Sequence, residues 1–155
     1  MKSLTAPNKD SERSLRSQQS YKDGKTAEQM AVQYLASKGY RILVTNYKTS
    51  HGEIDILAIR CHAKLVANGI DERLINNGEN SGTLVVCEVK TRKNQADLFY
   101  TIQTKQRLRI QNALLFFLSE NETYNNWQIR FDAVFVDLKQ HKITHIIDAW
   151  DYNVE

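Results

Sequence analysis

Apolar residues recur at Ala27, Met30, Ala31, Tyr34 and Leu35, the spacing of one helical face, and predict an amphipathic helix over Gly24 to Lys38. Gly39 follows where a left-handed cap is expected. Upstream, residues 1–22 carry only Leu4 and Leu15 as large aliphatics among Ser, Gln and charged side chains, so they offer no face to bury and are expected as a flexible tail. Tyr40 to Tyr47 then reads as a strand. Gly52 to Ile59 reads as a second, alternating Ile54, Ile56 and Ala58 against Glu53, Asp55 and Leu57.

Residues 60–82 are rich in Asn, Gly and charge and predict an exposed insertion. The strongest strand follows at Thr83 to Thr91, with Val85, Cys87 and Val89 on one face and Leu84, Val86, Glu88 and Lys90 on the other. Helical spacing returns from about Thr101 to Ser119 through Ile110, Ala113, Leu114 and Phe117, and Lys105, Arg107 and Arg109 make its start basic. Gln128 to Val136 and Lys142 to Ile147 predict two last strands, with Trp150 and Tyr152 packing beneath them and Phe116, Phe117, Phe131 and Phe135 in the core. The order helix, three strands, helix, two strands describes an α/β chain. Its 155 residues suit one hydrophobic core, placed at 23–155.

Composition narrows the class without fixing the function. Hydrophobic residues make up 41% and charged residues 25%, the balance of an ordinary folded domain. A net charge of +3 permits attraction to phosphate but is too small to establish it. Two cysteines cannot build a disulfide framework, and Cys87 in its apolar run reads as a reduced thiol, so a cytoplasmic location is expected. No apolar stretch nears the roughly 18–20 residues that span a bilayer, so no membrane association is expected. Cys61 and His62 lack a second ligand pair at zinc spacing, and His141 and His145 do not supply one.

The chemistry lies where acids interrupt apolar strands. Glu88 and Lys90 project from one face at the end of a buried strand, and desolvating such ions costs several kcal/mol unless they are paired, metal-bound or at a polar cleft. Asp55 interrupts the neighbouring strand in the same way. Two carboxylates brought together raise each other's pKa unless a cation lies between them, and hard oxygen donors suit Mg²⁺ or Mn²⁺. Glu28 falls inside the apolar arc of the first helix, where it either completes a metal's outer shell through water or pairs with an internal Lys or Arg. Glu53 reads as a strand-edge acid fixing the Gly52 turn, with a further ligand as the alternative. Arg130 and Asp132 share a strand face and read as a structural ion pair.

An E-x-K tripeptide alone is common; the combination is more specific. Gly24, Ala27, Glu28 and Ala31, then Gly39-Tyr40, Asn46-Tyr47, Gly52-Glu53-Ile54-Asp55, Glu88-Val89-Lys90-Thr91-Arg92, Lys105 with Leu108, and Arg130-Phe131-Asp132 together resemble the YraN-like bacterial proteins. Those are similar to Holliday-junction resolvases of the PD-(D/E)xK nuclease superfamily. The resemblance implies a three-layer, restriction-endonuclease-like domain with a central mixed β-sheet flanked by helices. It also implies Asp55 and Glu88 as metal ligands, Glu28 as the first-helix acid, and Lys90 beside the reacting phosphate. The reaction implied is Mg²⁺- or Mn²⁺-dependent hydrolysis of phosphodiester bonds in DNA, branched or otherwise structured, with Arg92 and Lys105 contacting nucleic acid. Resolvase-like relatives act as dimers on a two-fold symmetric junction, which implies a homodimer here. The chain departs from the pattern in its long insertion and in lacking the usual Phe-Gly turn after Arg92. Two other functional classes fit the residues: a nucleic-acid-binding module that keeps the scaffold without turnover, and an interaction protein whose acids form internal ion pairs.

Overall fold

The segment Gly82–Thr91 is apolar on both faces, and such a strand is satisfied only with neighbours at both edges and cover on both sides. In a computed structural model, which describes residues 9–61, 82–91 and 102–152, it is the middle strand of a five-stranded sheet. The strands are β1 (Arg41–Lys48), β2 (Glu53–Cys61), β3 (Gly82–Thr91), β4 (Gln128–Asp137) and β5 (Lys142–Trp150), ordered β1-β2-β3-β4-β5. Only β3 and β4 pair in parallel; the other neighbours are antiparallel. A parallel pair needs a crossover, and this one contains helix α2 (Thr104–Glu120).

Helix α1 (Lys9–Ser37) covers one face of the sheet, burying Ala27, Ala31 and Leu35 against Ile56, Ala58, Val85, Cys87, Val134 and Val136. Helix α2 covers the other, burying Ile110, Ala113, Leu114 and Phe117 against Leu57, Leu84, Val86, Phe131 and Phe135. The result is the expected α/β three-layer architecture with a mixed sheet. Among the described residues, no helix is long and apolar enough to cross a membrane.

Several boundaries differ from the sequence reading for identifiable reasons. The arm expected as a flexible tail is helical from Lys9, so α1 begins well before Gly24 even though residues 9–22 are exposed. Burial does not hold them; extending an anchored helix avoids the nucleation cost, and Lys, Arg, Gln, Glu and Leu are good helix formers. The Gln19 amide adds an i, i+4 hydrogen bond to Asp23 (2.7 Å). Arg60, Cys61 and Gly82 belong to β2 and β3, so the predicted insertion is shorter at both ends, and residues 62–81 lie outside the described residues. Phe116 is not in the core: it is 43% exposed. It lies two residues past Leu114, roughly 200° around the helix, whereas Phe117 stays on the buried stripe. Trp150 extends β5 and stacks on Phe131 at 5.3 Å between ring centroids.

Gly52 sets how closely β2 approaches α2. A Cβ at this position would lie 1.9 Å from the Arg109 carbonyl oxygen and 2.6 Å from its carbon, both backbone atoms that cannot rotate away. Gly52→Ala is therefore expected to lose about 1–3 kcal/mol of stability through overpacking. A urea titration checks this, and an unchanged midpoint would contradict the close approach. The displacement would also separate the ends of β2 and α2, both of which carry site residues.

Candidate active site

β2 and β3 pair as far as Ile56 and Cys87. Asp55 and Glu88 are the next residues outward on each strand, so the acids emerge side by side where the ladder stops. The Asp55 carboxylate takes over the ladder's role there, its Oδ2 accepting the Val89 N–H at 2.8 Å. Glu88 is 5% exposed, which requires partners for its charge. It has two: the Lys90 ammonium lies 2.8 Å from Oε1, and the Gln106 amide donates to the same oxygen. The Lys90 side chain remains 41% exposed, so it links the buried acid to solvent.

The electrostatics follow from this crowding. Burial first and the Glu88 charge second push the Asp55 carboxyl up from 3.8 to about 7, and the Val89 N–H only partly offsets them. Burial raises Glu88 as well, while Lys90 and a hydrogen bond with Asp55 pull it back. Two acids coupled in this way titrate as a pair and retain a shared proton near neutral pH when no cation is present.

The pair lies between two clefts. One, of about 500 Å³, is bounded by α1, β1 and β2 and includes Lys25, Glu28, Asn46, Lys48 and Asp55. The other, of about 330 Å³, is bounded by β2, β3 and α2 and includes Glu88, Gln103, Lys105, Gln106 and Arg109. Glu53 borders both and forms an exposed ion pair with Lys48 at 3.5 Å. Glu28 thus shares a cleft with Asp55, and its charge helps raise the Asp55 carboxyl. Its Oε2 accepts from the Asn46 amide at 2.9 Å, a partner that neither sequence reading of Glu28 supplied.

Of the basic residues singled out, Lys105 and Arg109 border the Glu88 cleft. Arg107 instead turns back to donate to the Ile102 carbonyl at 2.7 Å. Arg92 lies outside the described residues. Arg130 and Asp132 form the expected ion pair, and it is the centre of a buried network. Asp132 accepts from Arg130 at 2.7 and 2.8 Å, from the Asp148 N–H at 3.0 Å, and lies 2.8 Å from His145 Nε2. Tyr40 ties Arg130 and Arg60 together through its hydroxyl.

Two site residues escaped the residue-by-residue reading. Gln106 lies one turn before Ile110, inside the buried stripe of α2, and a polar residue there was a usable signal. Asn46 lies between the paired couples Thr45/Ile56 and Tyr47/Ile54, across from Asp55, with its backbone left-handed at φ 53°. Asn tolerates that conformation better than most residues. A strand pattern gives no hint of a positive φ.

A family model described as "Uncharacterised protein family UPF0102" matches residues 27–136, a span that includes Glu28, Asp55, Glu88, Lys90 and Lys105. The chain is similar to a UPF0102 protein of Alkaliphilus oremlandii, 37% identical over 136 residues that cover 83% of this chain and 97% of the relative. A UPF0102 protein of Nitrobacter winogradskyi is 32% identical over 128 residues, covering 83% and 91%. One of Bradyrhizobium diazoefficiens is 30% identical over 131 residues, covering 84% and 83%.

Proposed function

The chain belongs to the UPF0102 (YraN) family, and from the geometry of its site we propose that it is a metal-dependent endonuclease that hydrolyses phosphodiester bonds in DNA. The observation that carries this reading is the pair of mutually repelling carboxylates, half-buried Asp55 and buried Glu88, held at a cleft beside an ammonium that reaches solvent. Such a pair destabilises the fold without a cation, and sites of this kind cluster where charge is needed for chemistry.

The donor set fits Mg²⁺ or Mn²⁺. Both acids offer hard oxygens, and Mg²⁺ is commonly held by one or two carboxylates, with water and substrate phosphate completing its shell. Among the described residues there is no group of three His, Cys, Asp or Glu placed to hold a metal ion. Asp55 and Glu88 would be the direct ligands, and Glu28 would act through water from across its cleft. When bound, the ion supplies Lewis-acid polarisation of the phosphoryl group and eases deprotonation of a water.

The chain's own residues do the rest. Gln106 and Val89 N–H fix the two carboxylates in place, so little reorganisation accompanies reaction. Lys90 has three donors and uses one on Glu88, leaving two for a phosphate oxygen, where its charge favours the more negative transition state. Lys105 and Arg109 at the rim of the second cleft extend the contact to neighbouring phosphates. A four-way junction, being two-fold symmetric, would engage two copies of the chain.

The test is incubation of labelled single-stranded, duplex, flap and four-way-junction DNA with wild type, Asp55→Ala and Glu88→Ala in Mg²⁺, Mn²⁺ or EDTA. Metal-dependent cutting absent from both variants is expected, and cutting retained in both would refute the assignment. One observation favours a second reading, a binding module without turnover: Glu88 Oε1 already has two donors, Lys90 and Gln106. Salt-sensitive DNA binding that survives Glu88→Ala, with no cutting by wild type, would support it.

A further inference from the structure

The cleft containing Asp55 has a wall that metal chemistry uses only through Glu28. Tyr21, Gly24, Lys25 and Glu28 follow one another along α1 at helical spacing and line this cleft together. Tyr21 is 72% exposed, and among the described residues it has no ring contact or hydrogen bond. Lys25 has no acidic partner within 4 Å among the described residues. One turn on from Tyr21, Gly24 lies in mid-helix, where glycine is unfavourable, yet a Cβ there would meet nothing within 4 Å. Packing therefore gives no reason for the glycine. It leaves a notch beside the Tyr21 ring, open toward the residues that surround Asp55.

We infer that this notch holds an unpaired nucleotide, its base stacked on Tyr21 and its phosphate drawn to Lys25, next to the phosphodiester presented to Asp55. The inference rests on the reading of this site as one for nucleic acid. Within a duplex both faces of a base are covered by its neighbours, so only a nucleotide flipped or splayed from the stack has a face to offer an exposed ring. Lys48, across the cleft, is engaged with Glu53 in an exposed pair that a phosphate would readily exchange. The substrate class assigned is therefore DNA with an unpaired nucleotide at the cut site: a bulge, a flap or a junction branch point.

The full chain is titrated by fluorescence anisotropy, in EDTA and again in Ca²⁺, against a blunt duplex and the same duplex with one unpaired nucleotide, either intact or abasic. Wild type and Tyr21→Phe are expected to prefer the intact bulge to the abasic one by roughly tenfold, in the range of base–aromatic stacking. Tyr21→Ala should bind both equally. Gly24→Ala should melt at a higher temperature than wild type and yet bind the intact bulge more weakly, opposite signs that a purely structural role would not produce. Discrimination retained in Tyr21→Ala would overturn the inference, as would its absence from wild type in both buffers. Tyr21-dependent discrimination without cutting in Mn²⁺ would defeat the endonuclease reading and leave this one standing. Cutting lost in Asp55→Ala with no preference for the intact base would do the reverse.

Discussion

At pH 8 in EDTA, Asp55→Asn is expected to melt above the wild type, and in Mn²⁺ it is expected to lack the proposed cleavage. The Asp55 carboxyl titrates near 7 in the folded chain instead of 3.8 because it is buried beside Glu88. A group raised in this way contributes its stability fully below its unfolded pKa and loses it as pH rises through the folded one. Between pH 4 and 7 the wild type thus gives up roughly 2–4 kcal/mol, at about 1.4 kcal/mol per pH unit, the lower end reflecting the proton shared with Glu88. Asparagine keeps the shape and the acceptor for the Val89 N–H but has no charge to desolvate. Its advantage should reach about 5–12 °C at pH 8 and vanish near pH 4. Mn²⁺ at a hundred times its Kd should stabilise the wild type by about 2.7 kcal/mol and leave the variant unmoved. Calorimetry across pH, with and without Mn²⁺, checks both parts, and a variant no more stable than wild type at pH 8 would contradict the desolvated pair.

Asp132→Ala has the opposite sign at neutral pH, a loss of about 3–5 kcal/mol, the usual cost of removing one partner from a buried ion pair. Asp132 is fully buried, and its removal strands the Arg130 guanidinium, the Asp148 N–H and His145 together. Burial alone would raise the Asp132 carboxyl, but the hydrogen bonds from His145, Arg130 and the Asp148 N–H outweigh it and hold the group below its ordinary value. A depressed carboxylate contributes stability above its unfolded pKa and loses it as pH falls through the folded one. Acid unfolding of the wild type below about pH 4 should therefore be steeper than that of Asp132→Ala. Urea midpoints at pH 7 and pH 3 test this, and equal losses at the two would show that the charge is not what stabilises the network. Asp55 and Asp132 thus pull the pH dependence in opposite directions: Asp132 is paired with cationic and N–H donors for the fold, whereas Asp55 is held beside a second carboxylate at the cleft.

The site was partly legible from the strands. Asp55, Glu88 and Lys90 stood out because charge in an apolar run violates the burial pattern around it, and the structure brings the three together at the end of the β2–β3 ladder. Gln106 was legible in principle, as a polar residue on a buried helical stripe. Asn46 and Gly52 were not. A positive φ at Asn46 and the contact of Gly52 with the Arg109 backbone depend on how β1, β2 and α2 come together, and neither leaves a trace in local periodicity.

The sequence by itself determined the element order, the strongest apolar strand and, Phe116 apart, the stripes of α1 and α2 that face the sheet, because periods of 2 and 3.6 are written into each segment. It also determined the acids and the lysine, since the cost of burying an ion depends on residue type and local apolarity. Only the tertiary structure decided that Glu28 meets Asn46, that Asp132 gathers His145 besides its expected partner Arg130, and that α1 continues helical beyond its buried face to bring Tyr21 into the Asp55 cleft. The first two of those meetings join residues 18 and 13 positions apart, Glu28 with Asn46 and Asp132 with His145, and the third brings Tyr21 to the cleft that Asp55 lines. Such meetings are set by strand order and helix placement, which the packing of the whole core selects and no single segment contains.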